Sequence, residues 1–220
     1  MGAKSNPNGL RLKINKGWKS LWFDDSKYAV QLIEDVQLRR KLIADLKTAS
    51  ISDVKIDRDA NQITVSIYSS RPGVIIGRGG AGSDKIKKMV EKMTKSRARI
   101  NIIEVKRPDA DAMCIAQNIA SQIERRFPFR RAIKQAIEKA KEAGVKGIKI
   151  SVSGRLNGVD IARNEKASYG TVPLSTLKSD IDFIHVPALT TYGIIGVKVW
   201  VYKGESTTVF EETKERINRK

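Results

Sequence analysis

Four glycines stand within six residues at Gly77-Arg78-Gly79-Gly80-Ala81-Gly82, and the segment behind them is crowded with lysines. Residues without a Cβ let backbone N–H groups approach a phosphate closely. The N-terminus of a following helix adds unpaired N–H groups and a positive dipole end, and Arg78, Lys85 and Lys88 add mobile cations. The chemistry on offer is phosphate holding rather than bond making. A second cluster, Arg130, Arg131 and Lys134, follows Arg125-Arg126. At ~100° per residue, Arg130, Lys134 and Lys141 fall within roughly a 40° arc of a helix, which reads as a comb of cations along a nucleic-acid strand. No catalytic set is present: there is no Gly-Lys-Ser/Thr, no His-Glu-x-x-His and no Gly-x-Ser-x-Gly. Cys114 and His185 are the only residues of their types, so a cysteine cluster and a histidine zinc site are excluded. Cys114 reads as a packing residue on a helix, His185 as an ordinary strand or loop residue. Asp180 and Asp182 read as two charges on a turn or strand edge. No catalytic residue, metal or cofactor is expected.

Composition agrees. The chain has 220 residues, 42 Lys+Arg against 24 Asp+Glu, and a formal charge of +18. Such an excess repels itself unless an anion neutralises it. Nucleic acid is the usual partner, because phosphate neutralisation releases condensed counterions; an acidic membrane surface is the second candidate. No apolar run approaches the ~20 residues that span a bilayer. The first residues lack the apolar stretch of a signal peptide, and Asn6 breaks the myristoylation pattern. A cytoplasmic protein with no membrane and no small-molecule substrate is expected.

The elements that must position these groups come from periodicity. Ser5-Asn6-Pro7-Asn8-Gly9 is turn chemistry, and the alternation Leu10-Arg11-Leu12-Lys13-Ile14 predicts an exposed arm or short strand. Trp18, Leu21, Trp22 and Phe23 precede Asp24-Asp25-Ser26, where a helix cap is expected. A helix over about Lys27 to Ala49 should bury Leu32, Ile33, Val36, Ile43 and Leu46. Strands are expected at Ile51 to Asp57 and Gln62 to Ser69, with the turn Asp59-Ala60-Asn61 between them. A short helical turn follows from Pro72, then the glycines. Ile86, Met89, Val90 and Met93 mark an amphipathic helix, and Ala98 to Val105 a strand ended by Arg107-Pro108. Helices from Asp109 and after Phe127-Pro128-Phe129 come next, the second ended by Gly144. Strands are expected at Ile148 to Val152, about Asp160 to Lys166, about Asp182 to Leu189, and Ile195 to Tyr202. Eleven basic residues against three acidic lie between Arg71 and Arg107, and nine against three between Ser121 and Lys149.

The glycine run satisfies two patterns. Gly77 to Gly80 is the Gly-x-x-Gly loop of a KH module, which clamps a few nucleotides of backbone. Gly77 to Gly82 is also the Gly-x-Gly-x-x-Gly of dinucleotide binding. That second reading needs a buried strand running directly into the glycines, and only Val74-Ile75-Ile76 precedes them, behind Pro72-Gly73. The KH reading needs strand, strand, short helix, glycine loop, helix, strand, and this is the predicted order. Aromatics make up only 6% of the chain, so backbone and shape recognition is expected over base reading.

The second half carries longer strings: Ser153-Gly154-Arg155-Leu156, Ile161-Ala162-Arg163-Asn164-Glu165, Val172-Pro173-Leu174-Ser175-Thr176-Leu177, and Thr190-Thr191-Tyr192-Gly193-Ile194-Ile195-Gly196-Val197-Lys198-Val199-Trp200. With Pro7-Asn8-Gly9-Leu10-Arg11-Leu12, the Trp18/Trp22 region and Ile76-Gly77-Arg78-Gly79-Gly80, the chain resembles the bacterial family of small-subunit ribosomal protein number three over almost its whole length. The resemblance implies an α+β protein: an arm (1–16), a type II KH domain (17–107), a C-terminal α+β domain (108–205) with a mainly antiparallel sheet on two helices, and a polar tail (206–220). It implies binding to the 3′ major domain of small-subunit rRNA beside neighbouring head proteins. It further implies that Arg130, Arg131 and Lys134 line the mRNA entrance and help unwind mRNA, with no nucleotide-hydrolysing site. Arg11, Arg155, Arg163 and Lys198 are further candidates for rRNA contact. The chain departs from the family at Asn6, where His is usual, and at Ser83, where the KH pattern has an apolar residue and where a later helix start is expected. A free KH-type regulator and a nucleotide-dependent enzyme are the other classes; the second-half strings argue against the former.

Overall fold

A computed structural model of the chain describes residues 4–59 and 62–205. In chain order the elements are α1 (Pro7–Leu10), β1 (Ser20–Leu21), α2 (Tyr28–Asp45), β2 (Ile51–Arg58), β3 (Gln62–Ser69), α3 (Pro72–Ile76), α4 (Ala81–Thr94), β4 (Arg97–Glu104), α5 (Ala112–Glu124), α6 (Phe129–Glu142), β5 (Gly147–Gly154), β6 (Arg163–Gly170), β7 (Ser179–Thr190) and β8 (Gly193–Glu205). They form two units, Trp18–Lys106 and Met1–Gly17 with Arg107–Lys220. The fold is α+β in both. Ala60 and Asn61 of the expected turn, and the polar tail, lie outside the described residues.

In the unit Trp18–Lys106 the sheet order is β1-β2-β3-β4. β2 and β3 pair antiparallel, β3 and β4 parallel. This helix–strand–strand–helix–helix–strand order with a parallel last pair is the type II KH arrangement. Val54 and Ile56 of β2 and Ile63, Val65 and Ile67 of β3 are buried with Ile86 and Val90 of α4, as period 2 and period 3.6 require. α2 departs from expectation. It buries Leu38 and Leu42 and leaves Leu32 and Ile33 exposed. Its inward row includes a charge: Asp35 is 1% exposed and accepts from Ser20 Oγ, Trp22 Nε1 and the Arg58 guanidinium. A buried carboxylate needs such partners, and this one ties the segment before α2 to the sheet. The expected side-chain cap is not formed: α2 starts after Lys27, which makes no side-chain cap bond, and Asp24 instead closes the turn before the helix by accepting from the backbone N–H of Ser26 and of Lys27.

In the other unit the sheet order is β6-β5-β8-β7, antiparallel throughout. One face is covered by α5 and α6. Ile148, Ile150 and Val152 of β5 and Val197, Val199 and Val201 of β8 form the core with Ile115, Ile119, Ile123 and Ile133. The cap of α5 is Asp111, whose carboxylate accepts from the N–H groups of Met113 and Cys114; Asp109 instead lies in a 3-10 turn, Pro108–Ala110. Cys114 is buried on α5.

Residues 4–17 are not the expected exposed strand. Asn6 caps α1 through the Asn8 N–H, and Pro7 opens the turn. Arg11, expected on RNA, is 0% exposed. Its Nε donates to Ser179 O at 2.8 Å and its Nη2 to Thr176 O at 2.8 Å and Leu174 O at 3.0 Å. Lys16 pairs with Asp180 at 3.0 Å and lies 3.8 Å from Asp182. The Asp180/Asp182 pair therefore holds this segment, and Arg11 has no surface left for a phosphate. The guanidinium fork instead donates to carbonyls of the strand-free stretch before β7 and of Ser179, the first residue of β7.

Candidate nucleic-acid interface

The glycine loop is shaped by residues that only glycine tolerates comfortably. Gly77 leaves α3 with φ 68, Gly79 takes φ 61 within a 3-10 turn, Arg78–Gly80, and Gly80 takes φ 82 as the cap of α4. This left-handed region penalises a Cβ. Gly82 has a different reason: a Cβ there would fall 2.2 Å from Ile75 O, so its bare α-carbon lets α4 start against α3. The helix begins at Ala81, not later. Ser83 is accommodated because its hydroxyl donates to Gly80 O at 2.7 Å, which an apolar residue cannot do. Lys85 and Lys88 are exposed on α4. Val74 and Ile76, 52% and 42% exposed, lie in α3 directly before the loop. Backbone N–H groups, flanking cations and an apolar patch together suit a nucleotide strand.

The comb sits at the start of α6. Arg130, Arg131 and Lys134 are exposed, while Phe129, Ala132 and Ile133 turn into the core. The first turn holds no acidic residue, and Pro128 provides no side-chain cap. Cations at a helix N-terminus oppose the macrodipole. Here they stand at the positive end of the helix dipole, although the N–H groups of Arg131 and Ala132 already donate to Pro128 O, and dipole and cations favour the same ligand, an anion. Arg130 also lies 5.7 Å from the Phe129 ring centroid and pairs with Glu165 at 3.0 Å. Among the described residues it is the one member of the three with an ion pair.

The remaining candidates are scattered. Arg155 is partly committed, its Nε to Val159 O and its Nη2 to Asp160, both at 2.9 Å. Arg163 is exposed at the start of β6. Lys198 is exposed on β8, on the sheet face away from the helices. The register shows what sequence reasoning missed there. Ser151 lies between Lys166 and Lys198, and Lys198 pairs with His185, so these residues form one row across four strands. In the next row Lys149 lies over the Trp200 ring at 5.7 Å, and Trp200 meets Phe183 at 5.0 Å. Alternation placed each residue on a face, but only pairing made them neighbours.

Comparison with known proteins follows the same division. Residues 37–110 match the KH domain family and residues 119–201 match the family described as ribosomal protein S3, C-terminal domain. The chain is 52% identical to small ribosomal subunit protein uS3 of Desulforamulus reducens over 93% of each chain. It is 51% identical to that of Bacillus cytotoxicus over 93% of this chain and 94% of the relative. It is 46% identical to that of Enterococcus faecalis over 98% of this chain and 99% of the relative.

Proposed function

The chain belongs to the uS3 family of small ribosomal subunit proteins, an RNA-binding, structural and non-enzymatic family, and from that membership we propose that it lines the mRNA entrance of the subunit head. Arg130, Arg131 and Lys134 hold the phosphates of incoming mRNA and help open its paired regions. The observation that carries this reading is the start of α6, where three exposed cations line one cleft with no acidic residue in the first turn of the helix. Unwinding by such a comb needs no hydrolysis: fixed positive charge favours a single strand drawn past it while the ribosome supplies the movement. Binding of the rRNA 3′ major domain is assigned to the Gly77–Gly80 loop with Lys85 and Lys88, and to Arg163 and Lys198. Neighbouring head proteins complete the set of partners, and the protein works in the cytoplasm within the subunit.

Replacing Arg130, Arg131 and Lys134 together by Ala tests the reading. Subunits assemble, and ribosomes carrying the variant slow at stable mRNA hairpins while unstructured messages are read at the normal rate. Equal speed through hairpins rejects the assignment.

A further inference from the structure

Three adjoining clefts run past the start of α6. The first, about 460 Å³, lies between the α5–α6 connection and the β7–β8 turn, with Phe127 and Tyr192 on its walls. The second, about 210 Å³, shares Pro128, Phe129, Leu156 and Asn157 with it. The third, about 660 Å³, shares Arg130 and Glu165 with the second and contains Arg131 and Lys134. The shared residues place these clefts side by side along the start of α6.

We propose that the cleft between Phe127 and Tyr192 receives an unpaired nucleobase of an RNA strand whose phosphates lie along Arg130, Arg131 and Lys134. The inference rests on the reading of α6 given above and adds a base site to it.

Four features carry it. The cleft has an apolar floor, with Ile123, Leu156 and Ile195 all buried, and its volume is that of a small-molecule site. Phe127 and Tyr192 are 52% and 56% exposed, an apolar surface beside the cleft that a partner can cover. The Tyr192 ring is held in place: it lies against Gly158, where a Cβ would fall 2.9 Å from Cε2. The turn that carries the ring is closed by Thr190 Oγ1 donating to Gly193 O at 2.6 Å. Cations outnumber carboxylates at the rim: Arg126 and Arg155, the latter also paired with Asp160, line the first cleft, and Arg130 and Arg163 line the second beside Glu165. The carboxylate of Glu124 is already occupied by the Leu189 N–H at 3.1 Å. Flat aromatic walls, an apolar floor and cations at the rim complement a base attached to an anionic backbone. A phosphate comb alone does not distinguish single strands from paired ones by their bases; a base cleft at its end does.

The test compares a single-stranded oligoribonucleotide with an abasic oligomer of equal phosphate count, binding the full-length protein. The strand with bases binds on the order of tenfold tighter, the effect of one stacked base. Phe127→Ala with Tyr192→Ala removes this preference and leaves the salt dependence unchanged. Tyr192→Phe keeps it. Gly158→Ala, which retains both rings but displaces Tyr192, reduces it. The Arg130/Arg131/Lys134 alanine variant weakens both oligomers and keeps the preference, so failure of the α6 reading appears separately, as unchanged binding in that variant. Equal affinity of the two oligomers for the unmodified protein overturns the base site, as does equal loss for both in the aromatic variant. In programmed small subunits, Tyr192→p-benzoylphenylalanine crosslinks to mRNA if the strand is the message and to rRNA if it is structural. Crosslinking to a neighbouring protein alone overturns the proposal.

Discussion

Arg130 and Glu165 are 35 residues apart in sequence, and Arg130 Nη2 donates to Glu165 Oε1 at 3.0 Å. The side chains are 73% and 37% exposed. Such a surface pair contributes about 0–1 kcal/mol to folding, so its larger consequence is for binding: Glu165 occupies a cation that a phosphate would otherwise meet. Glu165→Gln leaves stability nearly unchanged and tightens RNA binding. With about six phosphates neutralised, the log–log salt slope of the unmodified protein is on the order of −4 to −5, and the variant steepens it by about 0.7–0.9. Filter binding across a salt series reads both slopes, and identical slopes reject the competition.

Arg11 is a structural residue here. A buried acceptor left without a donor costs about 1–3 kcal/mol; Arg11→Ala takes a donor from the buried Ser179 O and from the part-buried carbonyls of Leu174 and Thr176, and leaves a cavity where a fully buried side chain stood. The loss is about 3 kcal/mol or more, read by urea unfolding. Arg11→Lys recovers little of it, because an ammonium cannot reach carbonyls spread along a planar fork. A variant as stable as the parent shows that the fork is dispensable.

The attachment of residues 4–17 depends on pH at its extremes. Burial alone pushes the Asp182 carboxyl up, but Lys16 and Lys203 outweigh it and hold it below its ordinary value. Burial alone pushes Lys16 down, but Asp182 and Asp180 outweigh it and hold it above. The Asp182 contribution is therefore present above about pH 3.9 and is lost as pH falls through its lowered folded value; that of Lys16 is present below about pH 10.4 and is lost as pH rises through its raised value. Amide exchange at Asn15 and Lys16, whose N–H groups donate to Arg11 O, is expected to show constant protection through neutral pH and loss in acid. Asp182→Asn removes the acid-dependent loss; an unchanged acid limb assigns it elsewhere.

Two glycines of the loop fail for different reasons. Gly79→Ala meets open space and costs only its left-handed backbone, about 1–2 kcal/mol. Gly82→Ala drives a Cβ into Ile75 O and forces α4 away from α3, destabilising the unit more and weakening RNA binding through the displaced loop. Thermal melts of the two variants order them, and a milder Gly82→Ala contradicts the packing account.

The sequence by itself determined what is local. The KH order of elements, the amphipathic α4, the glycine loop and the α6 comb are written in periods of 2 and 3.6 residues and in turn chemistry, because each depends on neighbours a few positions away. The tertiary structure decided whatever needs a distant partner. It turned Leu38 and Leu42 of α2 inward in place of Leu32 and Ile33, because Asp35 on the same row finds Arg58 and Trp22. It took Arg11 from the surface because the carbonyls of Pro173, Leu174 and Thr176, distant in sequence, take its donors. It set Glu165 against Arg130 and brought Tyr192 to the same cleft as Phe127. Side-chain type and spacing state what a residue can do; strand register and chain return, which no local pattern encodes, select the partner it does it with.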